Sequence, residues 1–127
     1  MREILFRGKS VTDGRWIFGD LSNYGDYRAI TTTRGFSIID SCEVIPETVG
    51  QYTGLKDVHG TRIFEGDVVK SIAAWYVVEF ENGGYGLRPF GKGKLIPIMG
   101  RGNFNENEVE VIGNVYDNQE LLEGDKT

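Results

Sequence analysis

The clearest fold signal in the sequence is the stretch Val77-Val78-Glu79-Phe80-Glu81-Asn82-Gly83-Gly84-Tyr85-Gly86-Leu87. Apolar and aromatic residues, which favour strands, lie on both sides of Asn82-Gly83-Gly84. Asparagine and glycine adopt the positive φ angles that a two-residue hairpin loop requires. The stretch therefore predicts two antiparallel strands joined by a tight turn, with the second strand continuing to Phe90.

Hairpin signals of the same kind lie on both sides of this stretch. The runs Glu3–Arg7 and Arg15–Leu21 favour strands, and a Thr-Asp-Gly turn separates them. The segment Asp57–Gly60 predicts another hairpin turn, because aspartate can bond its own backbone and glycine tolerates positive φ. Pro97 interrupts a short strand and so predicts a sheet edge. In residues 108–116 the alternation predicts one strand face made of Val109, Val111, Gly113 and Val115.

The composition also indicates many short strands. The 127 residues include eighteen glycines but three prolines, and 39% of them are hydrophobic. Glycine at this level is typical of tight turns, whereas disordered chains are poor in hydrophobic residues. One helical signal occurs, over residues 117–123, with Asp117 as the cap and Gly124 as the stop. The sequence therefore predicts one all-β domain, a small barrel or roll followed by a short C-terminal helix.

Acidic residues are concentrated at the C-terminal end. The net charge is −5, and residues 104–127 hold seven of the nineteen acids with a single lysine. Phosphate groups repel an acidic protein, which argues against non-specific binding to DNA. No apolar run approaches the roughly 18 residues that a membrane-spanning helix needs, so no membrane partner is expected.

Cysteine and histidine each occur once, as Cys42 and His59. A single thiol cannot form an internal disulfide, which favours a reducing cytosol. The two residues cannot by themselves make a structural zinc site. Histidine is a common general base because its unperturbed pKa is close to neutrality, but the tip of a hairpin would orient His59 poorly for that role. We therefore expect no cofactor and no catalytic residue.

Three carboxylates near two predicted turns are candidate metal ligands: Asp57, Glu65 and Asp67. Carboxylate oxygens bind hard cations, and such a site would suit a metal-assisted hydrolase. The spacing does not match a calcium loop, however, and acidic residues are common in turns because they are well solvated and cap the backbone. The solvated-turn interpretation is favoured.

A basic and aromatic segment is the candidate nucleic-acid site. No acid lies between Glu81 and Glu106, and this interval holds the cations Arg88, Lys92, Lys94 and Arg101 and the aromatic residues Tyr85, Phe90 and Phe104. Small β-barrels bind single strands by combining a cationic groove with stacking aromatic rings. The alternative is a solvated basic loop that balances the acidic end of the chain.

Four blocks of sequence stand out as a set: Phe6-Arg7-Gly8-Lys9 with Trp16-Ile17-Phe18-Gly19-Asp20-Leu21; Val44-Ile45-Pro46-Glu47-Thr48-Val49-Gly50-Gln51-Tyr52-Thr53-Gly54-Leu55-Lys56-Asp57; Gly60-Thr61-Arg62-Ile63-Phe64-Glu65-Gly66-Asp67-Val68-Val69; and Gly113-Asn114-Val115-Tyr116-Asp117-Asn118-Gln119-Glu120-Leu121-Leu122. In this order and spacing they resemble the YopX protein family of bacteriophages and prophages of low-GC Gram-positive bacteria. The resemblance implies an intracellular phage-encoded protein, mainly β, with an SH3-like barrel in its middle and C-terminal part. We place this barrel at about residues 51–116, after an N-terminal β region over about 1–50. The resemblance implies no activity, since the function of the family is uncharacterised.

The second block is the most distinctive, and its residue types suit a turn, a strand and a second turn. Proline fixes φ, glycine permits bends and tyrosine supplies core area. The positions that we interpret as structural are Pro46, Glu47, Gly50, Gln51, Tyr52 and Gly54, with Gly66 and Asp67 of the third block. Within the second block, Glu47 and Gln51 are the members with side chains suited to a site.

The sequence favours a non-enzymatic β-barrel interaction module in the cytoplasm of a bacterial host. Such a module would bind a protein partner or associate with itself through exposed strands and aromatic residues. Two alternatives stay open. One is a small nucleic-acid-binding barrel that uses the basic segment 88–101, and the other is a metal-assisted hydrolase.

Overall fold

The computed structural model describes residues 3–34, 37–71, 74–81, 84–89, 96–97 and 109–118. These residues form eleven strands and one short 3-10 helix, Pro46–Thr48. The strands are β1 Phe6–Lys9, β2 Trp16–Asn23, β3 Arg28–Arg34, β4 Ser37–Val44, β5 Gly50–Lys56, β6 Arg62–Phe64, β7 Asp67–Lys70, β8 Trp75–Glu81, β9 Gly84–Pro89, β10 Ile96–Pro97 and β11 Glu110–Asn114. The chain divides into two compact units, Met1–Tyr52 and Thr53–Thr127.

The first unit is an antiparallel sheet in the order β4-β3-β2-β1, with the start of β5 beside β1. Ile17, Ile30 and Val44 form its buried core. These residues come from β2, β3 and β4 and form one cluster. Because side chains alternate between the two faces of a strand, the cluster marks the apolar face of the sheet. An isolated bridge between Ser10 and Val44 also connects the end of β1 to the end of β4.

The second unit contains the end of β5, its neighbour β6, and a sheet in the order β10-β9-β8-β7-β11. Its core consists of Ile63, Val69, Val78, Tyr85, Leu87 and Val109. Burial of such aliphatic and aromatic side chains is the main stabilising contribution to a unit of this size. Each unit therefore has its own apolar cluster.

The structure confirms the nearly all-β fold and the hairpins that sequence predicts. Glu81 pairs with Gly84, so two residues join β8 to β9. Pro97 lies in β10, at the edge of its sheet. In the described residues neither sheet closes into a barrel, so the SH3-like barrel is not confirmed. The helix predicted over 117–123 is not confirmed either, because all but its first two residues lie outside the described ranges.

One strand differs from its prediction. β11 ends at Asn114, and its pairing with β7 shifts between Val111 and Gly113. This β-bulge breaks the strict alternation that would place Val109, Val111, Gly113 and Val115 on one face. Among the described residues, no helix has both the length and the apolar character to cross a membrane.

Candidate functional site

The tip of the hairpin formed by β2 and β3 has a closed and well-defined backbone. The two strands remain paired as far as Asn23 and Arg28, which leaves Tyr24–Tyr27 as the turn. Inside the turn, the Tyr24 N–H donates to the Tyr27 carbonyl at 2.9 Å, and the Asp26 N–H donates to the Tyr24 carbonyl at 2.9 Å. Gly25 has a φ of 78°, a value that glycine adopts without a steric penalty. These bonds use backbone groups and leave the turn's side chains available.

The two tyrosine rings at this tip stack on each other in the open. Their centroids are 5.1 Å apart and their planes differ by 22°. Tyr24 is 54% exposed and Tyr27 is 41% exposed. Exposed apolar residues are ordinary when they stand singly, but a stacked pair of large rings at one tip is a contiguous patch. Stacking uses one face of each ring, so surface of both rings stays open to a ligand.

The acidic side chains of the first unit are exposed wherever the structure describes them. All seven acids of residues 3–52 are exposed: Glu3, Asp13, Asp20, Asp26, Asp40, Glu43 and Glu47. Of the cations whose side chains are described there, Arg7 is buried, Lys9 and Arg28 are half-buried, and Arg15 is exposed. Arg15 lies 4.0 Å from Asp13. Among the side chains described in this unit, the exposed ones therefore carry more negative than positive charge.

Two of these cations lie over an aromatic ring of the same sheet. The guanidinium carbon of Arg7 is 4.6 Å from the centroid of the Trp16 ring, and the Lys9 Nζ is 5.6 Å from it. Both distances are within the range of a cation–π interaction. Arg7 is 7% exposed, so it adds little to the exposed charge of the unit.

The turn of the hairpin formed by β5 and β6 is organised around the Asp57 carboxylate. Its Oδ1 accepts the N–H groups of His59 and Thr61 at 2.8 and 2.9 Å, and its Oδ2 accepts the Val111 N–H at 2.9 Å. Burial tends to raise the pKa of Asp57, but the donated hydrogen bonds outweigh that effect and leave this pKa below its usual value. The carboxylate thus holds the turn closed and connects it to the beginning of β11.

The other two candidate metal ligands lie beside a tight turn before β7. Asp67 is 2% exposed, and its Oδ2 accepts the Phe64 N–H at 2.7 Å. Gly66 has a φ of 94°, and a Cβ added there would lie 2.9 Å from the Tyr116 Cε2. Glu65 is half-buried. In the part of the chain that the structure describes, no three histidine, cysteine or acidic side chains are grouped as a metal site.

The side chains with nucleophilic or basic chemistry have ordinary structural surroundings. His59 Nε2 lies 3.0 Å from Glu110 Oε2, and both side chains are well exposed. This pair connects the β5–β6 turn to β11. Burial raises the pKa of the Cys42 thiol, and Asp40, whose carboxylate lies 3.5 Å from the sulfur, raises it further. A thiol with a raised pKa is a poor nucleophile at neutral pH.

The basic segment is described in part. Arg88 Nε lies 2.8 Å from Glu79 Oε1 across β8 and β9. Tyr85 is 5% exposed, packs in the second core and contacts Phe80 edge to face at 5.0 Å. Its ring is therefore not available to stack on a base. The remaining predicted members, Phe90, Lys92, Lys94 and Arg101, lie outside the described residues.

The distinctive block around residue 46 fixes backbone geometry. Pro46 starts the 3-10 helix, and at the end of that helix Thr48 Oγ1 accepts the Lys9 N–H at 2.9 Å and donates to the Ile45 carbonyl at 2.6 Å. Tyr52 is 4% exposed. Gly50 and Gln51 pair with β1, and Gly54 has a φ of 91°. Glu47 is exposed.

The sequence analysis did not find the ring pair of Tyr24 and Tyr27 or the exposed acids near it. The signal in the sequence is two aromatic residues that bracket Gly25-Asp26. Stacking of the rings depends on the turn geometry, and the exposure of the acids depends on the sheet.

The comparisons with known proteins agree with this fold. A family model described as YopX protein matches residues 5–123. Among solved structures, the chain is similar to the crystal structure of protein EF1440 from Enterococcus faecalis, with a TM-score of 0.56 and 19% identity over 96% of this chain and 99% of the other. At this identity the likeness shows the fold alone. The search of curated proteins found no match. Because the family model covers nearly the whole chain, this protein belongs to the YopX protein family.

Proposed function

We propose that this chain is a non-enzymatic interaction module that binds a protein partner through the tip of its β2–β3 hairpin. In this proposal the protein is encoded by a phage or prophage and acts in the cytoplasm of the bacterial host. The observation that carries the proposal is the stacked and exposed pair Tyr24 and Tyr27, on a turn held by its own backbone hydrogen bonds.

Tyrosine is a favourable residue for such a contact. It offers a large rigid surface with few rotatable bonds, so its immobilisation on binding costs little entropy. Tyrosine is also enriched among the few interface residues that contribute most of the binding free energy. The stack orders both rings before a partner arrives, which lowers the cost further. A preformed aromatic tip therefore suits a binding role.

The reactive side chains support binding over catalysis. Asp57 and Asp67 accept backbone N–H groups. Such hydrogen bonds stabilise a turn, and they occupy the carboxylate oxygens that a reaction would need. The His59 imidazole lies against Glu110 on an exposed surface. A general base needs a defined position next to a substrate, and an exposed surface pair does not supply one.

The experiment that tests this proposal is affinity capture from host cells with and without the phage. The baits are the wild-type chain, the variant Tyr24→Ala/Tyr27→Ala, and Phe80→Ala as the matched control, since Phe80 is an exposed ring of the second unit. We expect a protein captured by the wild type and by Phe80→Ala but not by the double variant. Capture of the same proteins by all three baits would contradict the proposal. Light scattering on the same variants shows whether that partner is a second copy of the chain.

The proposal retains an SH3-like roll for the second unit. Support comes from the order of its strands, in which β7, β8 and β9 follow one another as neighbours and β11 returns to pair with β7. A crystal structure of the full chain would test this part of the proposal, because it would show whether the sheet closes.

A further inference from the structure

We infer that the segment recognised by the β2–β3 tip is a cationic peptide, in which arginine or lysine side chains contact the two tyrosine rings. This inference rests on the proposed function and adds the chemistry of the partner. Its elements are the ring pair Tyr24 and Tyr27, the exposed carboxylate of Asp26 between them in the turn, and the exposed Asp20 on β2 of the same hairpin.

Cations bind to aromatic faces because the face of a ring carries negative electrostatic potential. The first unit already contains this interaction, since Arg7 and Lys9 lie over Trp16. At the tip, both rings have open surface, and Asp26 is exposed in the same four-residue turn. A guanidinium group that packs on a ring can pair with a carboxylate at its edge.

The surrounding charge favours the same ligand. Asp20 lies on β2 of this hairpin and is exposed, as are the other described acids of the unit. Exposed carboxylates attract a basic segment during its approach and speed association at low ionic strength.

Single-stranded nucleic acid is the competing ligand for exposed rings, because bases stack on tyrosine as well. Binding of nucleic acid also requires cations for the phosphates. In the turn itself Asp26 is exposed, whereas Arg28 directly after the turn is half-buried. Asp20, three residue pairs further along the hairpin, is also exposed. The charges therefore favour a cationic peptide over a polyanion.

The test is a titration of the full chain, followed by nuclear magnetic resonance, with three probes: a peptide of alternating arginine and glycine, the same peptide with glutamine for arginine, and oligo(dT). We expect the arginine peptide to shift the resonances of Tyr24–Arg28 and to bind about tenfold more tightly than the glutamine peptide. Tyr24→Ala/Tyr27→Ala should abolish these shifts and Asp26→Asn should weaken binding roughly threefold. Phe80→Ala should leave the affinity unchanged, and added salt should weaken binding.

Equal binding of the two peptides, no binding of the arginine peptide, or binding of oligo(dT) at the tip would each overturn the inference. Thermal unfolding of every variant shows that a lost signal does not come from a lost fold. The two proposals fail separately. If affinity capture depends on the tyrosines while the arginine peptide does not bind, the interaction module stands and the cationic partner is wrong.

Discussion

Two hairpin tips of this molecule use an aspartate in opposite ways. In the β5–β6 turn, the Asp57 carboxylate accepts three backbone N–H groups and connects the turn to β11. In the β2–β3 turn, the backbone closes the loop by itself, and Asp26 is exposed with the stacked rings of Tyr24 and Tyr27 beside it. Two turns that each contain an aspartate and a glycine can therefore differ in the hydrogen bonds that the aspartate makes. A turn whose side chains bond to the backbone is structural, and one closed by its backbone alone has side chains available for a partner.

The replacement of Asp57 by alanine should have the largest effect on stability. It removes the acceptor of three N–H groups, including that of Val111, which belongs to a different strand. We expect the free energy of unfolding to fall by about 3 kcal/mol, because donors that lose their partner keep the cost of desolvation. Urea denaturation measures this change. Asp26→Ala is the matched control, and it should change the free energy of unfolding by less than about 0.5 kcal/mol. Equal losses of unfolding free energy in both variants would show that the two aspartates do not differ in structural role.

The strands were predictable from sequence because their signals are local. The pairing of Glu81 with Gly84 follows from the turn preferences of Asn82-Gly83-Gly84. Likewise, the hydrogen bond from the His59 N–H to the Asp57 carboxylate is an Asx-type turn. It could be predicted locally, from an aspartate at the start of the turn and a glycine at its end. The bulge in β11 depends on register against β7, which is distant in sequence, so alternation alone did not reveal it.

The candidate site was harder to predict, for two physical reasons. Stacking of Tyr24 on Tyr27 needs the particular backbone path of the turn, and a turn signal does not specify it. Charge counts also mislead, because they weigh buried and exposed charges equally. Arg7 is buried against Trp16, so it counts in the charge of the first unit but adds little to its exposed charge.

The pH dependence of the free energy of unfolding should reveal part of the contribution of the Asp57 carboxylate to stability. The pKa of Asp57 in the folded protein lies below its unfolded value of about 3.9. The ionised carboxylate therefore stabilises the fold above that pH, and this stabilisation is lost as the pH falls through the folded pKa. We expect the free energy of unfolding of the wild type to fall more steeply below about pH 4 than that of Asp57→Asn, which cannot titrate. Urea denaturation across this range is the measurement, and parallel slopes would contradict it.

Glycine substitutions at the two tips should have the smallest effect on the free energy of unfolding. They also separate an effect on binding from an effect on stability. Gly25 has a φ of 78° and Gly60 a φ of 83°, and a Cβ at either position would meet nothing within 4 Å. Alanine should therefore cost about 1 kcal/mol of unfolding free energy at each tip, from backbone strain alone. Binding should differ, because a distorted β2–β3 turn separates the rings that the proposed partner contacts. We expect Gly25→Ala to weaken capture of that partner and Gly60→Ala to leave it unchanged, at equal loss of stability. If both substitutions weaken capture alike, the effect comes from global stability and the two tips do not differ in function.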